Sequence, residues 1–170
     1  MLFRSAEQLY LQAIEIDKIA LPENHPSLAS GLNNLAGLYR AQGKYEAAEP
    51  LFLQAIEIDK IALPENHPER ASGLNNLAGL YESQGKYEAA EQLYLQAFEI
   101  RKIALPKNHP DTAMTLWHLA VHYENKRIFT SAESFYLKAL KIYKQSLGLE
   151  HPYTQKVQEH YQNMLNKKNN

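Results

Sequence analysis

The hexapeptide Leu21-Pro22-Glu23-Asn24-His25-Pro26 returns as Leu63-Pro64-Glu65-Asn66-His67-Pro68 and, with one change, as Leu105-Pro106-Lys107-Asn108-His109-Pro110. A weaker echo, Leu149-Glu150-His151-Pro152, follows, so these four histidines stand 42 residues apart each time. Residues 21–62 and 63–104 agree at 34 of 42 positions. The unit from 105 has diverged but keeps the pattern. A fixed period of this size marks a repeat architecture, in which each unit is one supersecondary element that cannot bury its apolar face alone.

Each unit reads as two helices. Pro26, Pro68 and Pro110 stand where a helix begins, the position that tolerates a missing N–H. Glu69 and Asp111 follow in the first turn, where the helix dipole favours negative charge. Leu32, Leu35, Ala36 and Tyr39 then recur at i, i+3, i+4 and i+7, the spacing of an amphipathic helix. Gly43 suits a left-handed C-cap. A second helix is expected from about Tyr45 to Ala62, with Ala48, Leu51, Phe52, Ala55 and Ile56 as its stripe. Pro64 disfavours helix in the residue before it. Pro50 falls inside that helix, where it is expected to cause a bend. Arg127 replaces the capping glycines Gly43 and Gly85, so the third turn is expected to differ in shape or stability. The loop histidines are expected to act locally, as N-caps and loop packing. The recurring tyrosines read as core, and the glutamates that recur once per unit read as a solvated face.

The set Leu32, Leu35, Ala36, Tyr39, Ala48, Phe52 and Ala55 resembles the tetratricopeptide signature. Leu74, Leu77, Ala78, Tyr81, Ala90, Tyr94 and Ala97 repeat it, as do Leu116, Leu119, Ala120, Tyr123, Ala132, Tyr136 and Ala139. The family's usual period is about 34. The 42-residue form here, with Leu-Asn-Asn-Leu-Ala and Gly-Lys-Tyr-Glu-Ala-Ala-Glu, resembles kinesin light chain-type repeats. The resemblance implies an all-α fold, a right-handed superhelical array of antiparallel helix pairs. The expected organisation is one array over 1–170: a half repeat at 2–20, repeats at 21–62, 63–104 and 105–147, and a C-terminal capping helix at 151–168. Phe3, Ala6, Leu9, Tyr10, Ala13 and Ile14 match a second helix without its first, and no polar cap covers it. The chain is therefore expected to be a piece of a longer array, or to self-associate through that helix.

The resemblance further implies that first helices line a concave groove. Counting in steps of 42 gives its ladders. Asn33, Asn75 and Trp117 form one; Asn34, Asn76 and His118 the next; Gly37, Gly79 and Val121 a third; Arg40, Glu82 and Glu124 a fourth. An Asn side chain offers a donor and an acceptor, so paired Asn rungs suit the backbone of an extended peptide. Gly37 and Gly79 leave room for it, and Trp117 could anchor an apolar side chain. The competing reading has the Asn pairs cross-linking neighbouring helices and Trp117 serving as filler. Arg40/Glu82 and Ala41/Ser83 are among the eight positions that differ between the first two repeats, as specificity-setting positions would. Kinesin light chain repeats use this face for cargo peptides, including acidic ones with a tryptophan. Here Arg40 and Lys156 mix with Glu82, Glu124 and Glu159, so that ligand class does not carry over. The basic clamp that other tetratricopeptide domains place on a terminal carboxylate is missing too, because Ser30, Ser72, Asn33 and Asn75 stand where its lysines would be.

The rest of the composition narrows the function. Eighteen Lys and Arg stand against nineteen Asp and Glu, a net charge of −1, which argues against a nucleic-acid binder. There is no cysteine, so disulfides and thiolate chemistry are excluded. No apolar run is long enough for a membrane span, and residues 1–5 lack a signal-peptide pattern, so a cytoplasmic location without membrane attachment is expected. No phosphate loop, nucleophile elbow or HExxH helix occurs. His118 and His122 lie at i, i+4 with His160 one unit on, but convergence on a metal is not expected. The reading is a non-enzymatic scaffold without cofactors that binds peptide segments of partner proteins. The alternative is an oligomerisation or spacer module of a larger regulator.

Overall fold

In the computed structural model, residues 2–169 are described, with side chains from Ser5 onward. The side chain of Phe3, assigned above to the first stripe, lies outside them. All regular structure among these residues is helical: α1 (Leu2–Ala20), α2 (Pro26–Ala41), α3 (Tyr45–Ala62), α4 (Pro68–Ser83), α5 (Tyr87–Ala104), α6 (Pro110–Asn125), α7 (Phe129–Ser146) and α8 (Pro152–Asn169). They divide into two compact units, Met1–Leu93 and Tyr94–Asn170, with the boundary inside α5.

The repeated hexapeptide and its later echo build the starts of α2, α4, α6 and α8 in the same way. His25, His67 and His109 hold extended backbone, and each imidazole Nδ1 accepts a hydrogen bond from the N–H two residues on, at Ser27, Glu69 and Asp111. His151 Nδ1 accepts from Tyr153 N–H in the same manner. Imidazole thus takes the place of the usual Ser, Thr, Asp or Asn cap, while the proline that follows needs no acceptor.

The turn between paired helices is equally regular. Lys44 N–H donates to Tyr39 C=O and Gly43 N–H to Arg40 C=O, the paired bonds of a Schellman cap. Lys86/Gly85 and Ile128/Arg127 repeat the pattern. Gly43 and Gly85 sit at φ 74 and 73, and Arg127 takes φ 59. The third turn therefore keeps its shape, and the arginine accepts a left-handed backbone in glycine's place. Pro50 lies within α3, which runs unbroken from Tyr45 to Ala62.

Small residues set the spacing of the pairs. Ala36, Ala48 and Ala55 in the first unit, and Ala120, Ala132 and Ala139 in the second, are wholly buried. Leu32, Leu35 and Phe52 fill the core around the first set. In the second unit Tyr136 and Tyr143 join it, and α8 adds Val157 and Met164 to the same cluster. In α1, by contrast, Leu9 and Ile16 are each 63 % exposed.

Because a left-handed conformation costs an L-residue about 1–2 kcal/mol and glycine gives back part of that in chain entropy, Arg127→Gly is expected to stabilise the protein by about 0.5–1 kcal/mol. Urea unfolding should show a higher midpoint at unchanged slope. An unchanged or lower midpoint would mean that the Arg127 side chain, 5.9 Å over the Phe129 ring, contributes more than the strain costs.

Candidate functional site

The ladder residues of the first unit lie on α2 and α4. Asn34 and Asn76 are exposed, whereas Asn33 is half-buried and Asn75 is 5 % exposed. The rungs thus separate by one residue. Asn34 and Asn76 are exposed to solvent, whereas Asn75 is buried and does not present its side chain on the surface. Asn33 leans the same way, with its Oδ1 buried and unbonded. Gly37 is open, with nothing within 4 Å of a Cβ built on it. Gly79 is not open: the Arg40 guanidinium covers it, with Nη1 only 2.6 Å from such a Cβ. The room expected there is already filled by a side chain of the preceding repeat. Arg40 Nε also donates to Ser83 Oγ at 3.2 Å, and Ser83 Oγ donates to Gly79 C=O at 2.9 Å. Two of the positions that differ between the repeats, Arg40 and Ser83, therefore differ as partners. Glu82 stays half-exposed at the end of the same face.

In the second unit the rungs turn aromatic. Trp117 stacks on His118 at 6.4 Å and meets His160 edge-on at 5.2 Å, with Lys156 Nζ 5.7 Å over its ring. Trp117 packs against the core cluster, and its indole N–H is buried without a partner. The filler reading is the one the packing favours. His118 lies half-buried against Tyr94, with ring centroids 5.7 Å apart, and His122 is fully buried beside Tyr94 and Tyr123. Among the described residues no group of three His, Asp or Glu side chains is placed to hold a metal. Glu124, read as a specificity residue, is tied within the fold: it accepts from Tyr136 Oη and from Lys167 Nζ, both at 2.7 Å, and its side chain is 11 % exposed. Burial, reinforced by that bond, pushes the Tyr136 phenol far above its ordinary range. Val121, Glu124 and Asn125 nevertheless line a cleft of about 270 Å³ with His160, Asn163 and Lys167.

The glutamates of the second helices fall into two sets: Glu15, Glu57 and Glu99 are exposed, as a solvated face would be, whereas Glu7 and Glu49 are tied to tyrosines of the first helices. Tyr39 Oη donates to Glu7 at 2.9 Å, and Tyr81 Oη to Glu49 at 3.0 Å. Gln84 and Lys86 also donate to Glu49, both at 3.3 Å. Burial pushes the Glu49 carboxyl upward, but the bonds from Gln84, Tyr81 and Lys86 outweigh it and hold it below the ordinary range. The signal was present in the sequence: Tyr39 and Tyr81 each follow their glutamate by 32 residues.

Position 59 separates the two units chemically. Asp59 is 4 % exposed. Its Oδ2 and Asn33 Nδ2 lie 3.8 and 3.9 Å from the place of a Cβ on Gly73. One repeat on, Arg101 is equally buried and donates to Thr115 Oγ1 at 2.7 Å and to Asp111 C=O at 2.9 Å. Thr115 occupies the register of Gly73, so the buried acid faces a glycine and the buried base faces a hydroxyl. Burial, with Glu69 adding to it against His67 and Arg70, raises the Asp59 pKa to about 6.

The repeat geometry has known counterparts. The family model for the tetratricopeptide repeat matches residues 2–61, 27–103 and 69–145. The chain belongs to the tetratricopeptide repeat family. No curated protein matches it. Among solved structures the array is similar to a kinesin light chain candidate from Podosopora anserina with nearly identical TPR-like repeats, at 26% identity over 95% of this chain and 77% of that one, with TM-score 0.75. It is also similar to BtubC (BKLC) from P. vanneervenii, at 20% identity over 98% of this chain and 67% of that one, with TM-score 0.83. The apo form of RapI matches at 21% identity over 85% of this chain and 50% of that one, with TM-score 0.72. The last two speak to the fold. Tetratricopeptide arrays generally mediate protein–protein interaction, and no helix among the described residues is long and apolar enough to cross a membrane.

A carboxyl whose folded pKa exceeds its unfolded value favours folding while protonated, and that contribution is lost as pH rises through the folded pKa. Asp59→Asn is therefore expected to match the parent's stability near pH 4. Its advantage should grow up to about pH 6 and then level at about 3 kcal/mol. Urea unfolding across this range checks it; a variant less stable than the parent at pH 8 contradicts the assignment.

Proposed function

We propose that the array is a non-enzymatic scaffold that binds peptide segments of partner proteins on its first-helix faces. The observation that carries this reading is the pair Asn34 and Asn76, one repeat apart and both exposed, while Leu35, Ala36, Leu77 and Ala78 beside them are buried. Identical donor–acceptor groups at equal intervals suit a peptide backbone, whose N–H and C=O groups also recur at fixed intervals. The open backbone at Gly37 allows close approach. In the second unit the cleft lined by Val121, Glu124, Asn125, His160, Asn163 and Lys167 supplies the corresponding surface.

The test is selection of peptides from a random library on the whole chain, followed by anisotropy titration of labelled hits. Asn34→Ala with Asn76→Ala should weaken the hits at least about tenfold, or 1.4 kcal/mol, with helicity unchanged. Hits indifferent to both substitutions would contradict the reading. A second reading, self-association through α1, is favoured by the exposure of Leu9 and Ile16, whose counterparts Leu51 and Ile58 are half-buried and buried. Under it, sedimentation equilibrium shows a mass that rises with concentration and falls to the monomer in Leu9→Glu. A monomer at all concentrations removes it.

A further inference from the structure

The second unit carries a groove that the first-helix ladders do not use. It is lined by α5, the loop after it, α6 and α7, and has a volume of about 550 Å³. Phe98, Leu105, Leu116 and Ile142 make its apolar floor. Lys102, Lys107, Lys138 and Lys141 stand on its rim, all exposed, and no acidic residue lines it. Lys102 is engaged by Glu99 at 3.1 Å, and Lys138 lies 5.1 Å over the Phe135 ring. Among the described residues Lys107 and Lys141 have no carboxylate partner.

The register shows how this charge arose. Where the third repeat has Lys107, the two preceding hexapeptides have Glu23 and Glu65. Where it has Lys141, the earlier second helices have Glu15, Glu57 and Glu99. Where it has Lys138, they have Gln12, Gln54 and Gln96. Lys102 alone keeps the residue of its register, matching Lys18 and Lys60. Two acid-to-base reversals and one neutral-to-base change thus fall around a single groove. Phe98 meanwhile replaces Ile14 and Ile56 in its floor. Stability does not ask for this, because like charges crowded on one rim repel.

We propose that this groove, whose lysines come from the second helices and the loop at 105–108 and which shares no residue with the first-helix ladders, docks an acidic segment of a partner protein. A pair of aliphatic side chains would sit on the Phe98–Leu116–Ile142 floor, and flanking Glu and Asp residues would meet Lys107, Lys138 and Lys141. The apolar floor supplies burial, and the lysines supply selection and electrostatic steering that weakens with salt. The inference goes beyond the ladder reading and stands or falls apart from it.

The probe is a fluorescein-labelled peptide with a central Leu-Leu flanked on each side by five Glu or Asp residues, titrated into the whole 170-residue chain by anisotropy. Saturable binding is expected. It should weaken at least tenfold in Lys107→Glu/Lys141→Glu, which restores residues the other repeats already carry at those positions and leaves helicity unchanged. It should weaken similarly when the two leucines become serines. It should survive the charge-matched control Lys18→Glu/Lys60→Glu in the first unit, and also Asn34→Ala/Asn76→Ala. No saturable binding overturns the proposal. So does equal weakening by the control pair, which would mark a general charge effect, or indifference to the leucines, which would mark the lysines as a diffuse attraction without a site. Binding lost only in the asparagine variant would assign the peptide to the first-helix face instead.

Discussion

Everything in this chain depends on how closely two helices of a pair can approach. Ala36, Ala48 and Ala55 lie in one helix pair and Ala120, Ala132 and Ala139 in another, all without solvent exposure. Interaxial distance depends on the side chains at the contact, and alanine keeps it short. That short distance lets a three-residue Schellman turn join the helices, and it places the larger residues, Leu35, Phe52 and Tyr136, to either side as filler. A bulkier residue at these positions would overpack the contact. The period of the fold is thus the period of its alanines.

Much of this was legible in the sequence, because its causes are local. Histidines and prolines at steps of 42 mark the starts of α2, α4, α6 and α8, and Gly43 and Gly85 mark two of the three tight turns. The helix expected at 151–168 is present as α8, and its Val157 and Met164 pack into the core cluster of the second unit. The candidate site was less legible, because it depends on which way adjacent residues turn in three dimensions. Asn33 and Asn34 look equivalent on paper, yet only the second stays fully exposed. Gly79 reads as open until Arg40, some forty residues earlier, is seen lying over it. Glu124 and Glu49 read as surface charges until Tyr136, Lys167 and Tyr81 are found bonded to them. Arg127 reads as a break in the turn pattern, but the backbone around it is over-determined by paired hydrogen bonds and holds its shape.

Some of the divergence between the repeats falls at positions that touch each other. Arg40 changes together with Ser83, and Asp59 opposite Gly73 becomes Arg101 opposite Thr115. Neighbouring rungs share one packed space, so a change in one is felt by the next. The result is two chemically different units from one template. The first keeps an open, neutral amide face and a buried acid. The second has an aromatic row over its first helix and a lysine-rimmed apolar groove lined by α5, α6 and α7.

The central claim is that the exposed asparagine face of α2 and α4 is the surface that meets partner segments. The most direct measurement is chemical-shift mapping of the ¹⁵N-labelled chain with a peptide obtained by unbiased selection, following backbone and Asn side-chain amides together. The account predicts that the largest changes fall on the side-chain amides of Asn34 and Asn76 and on the backbone of Gly37. Changes confined to α1, or spread over α3 while those amides stay fixed, would contradict it.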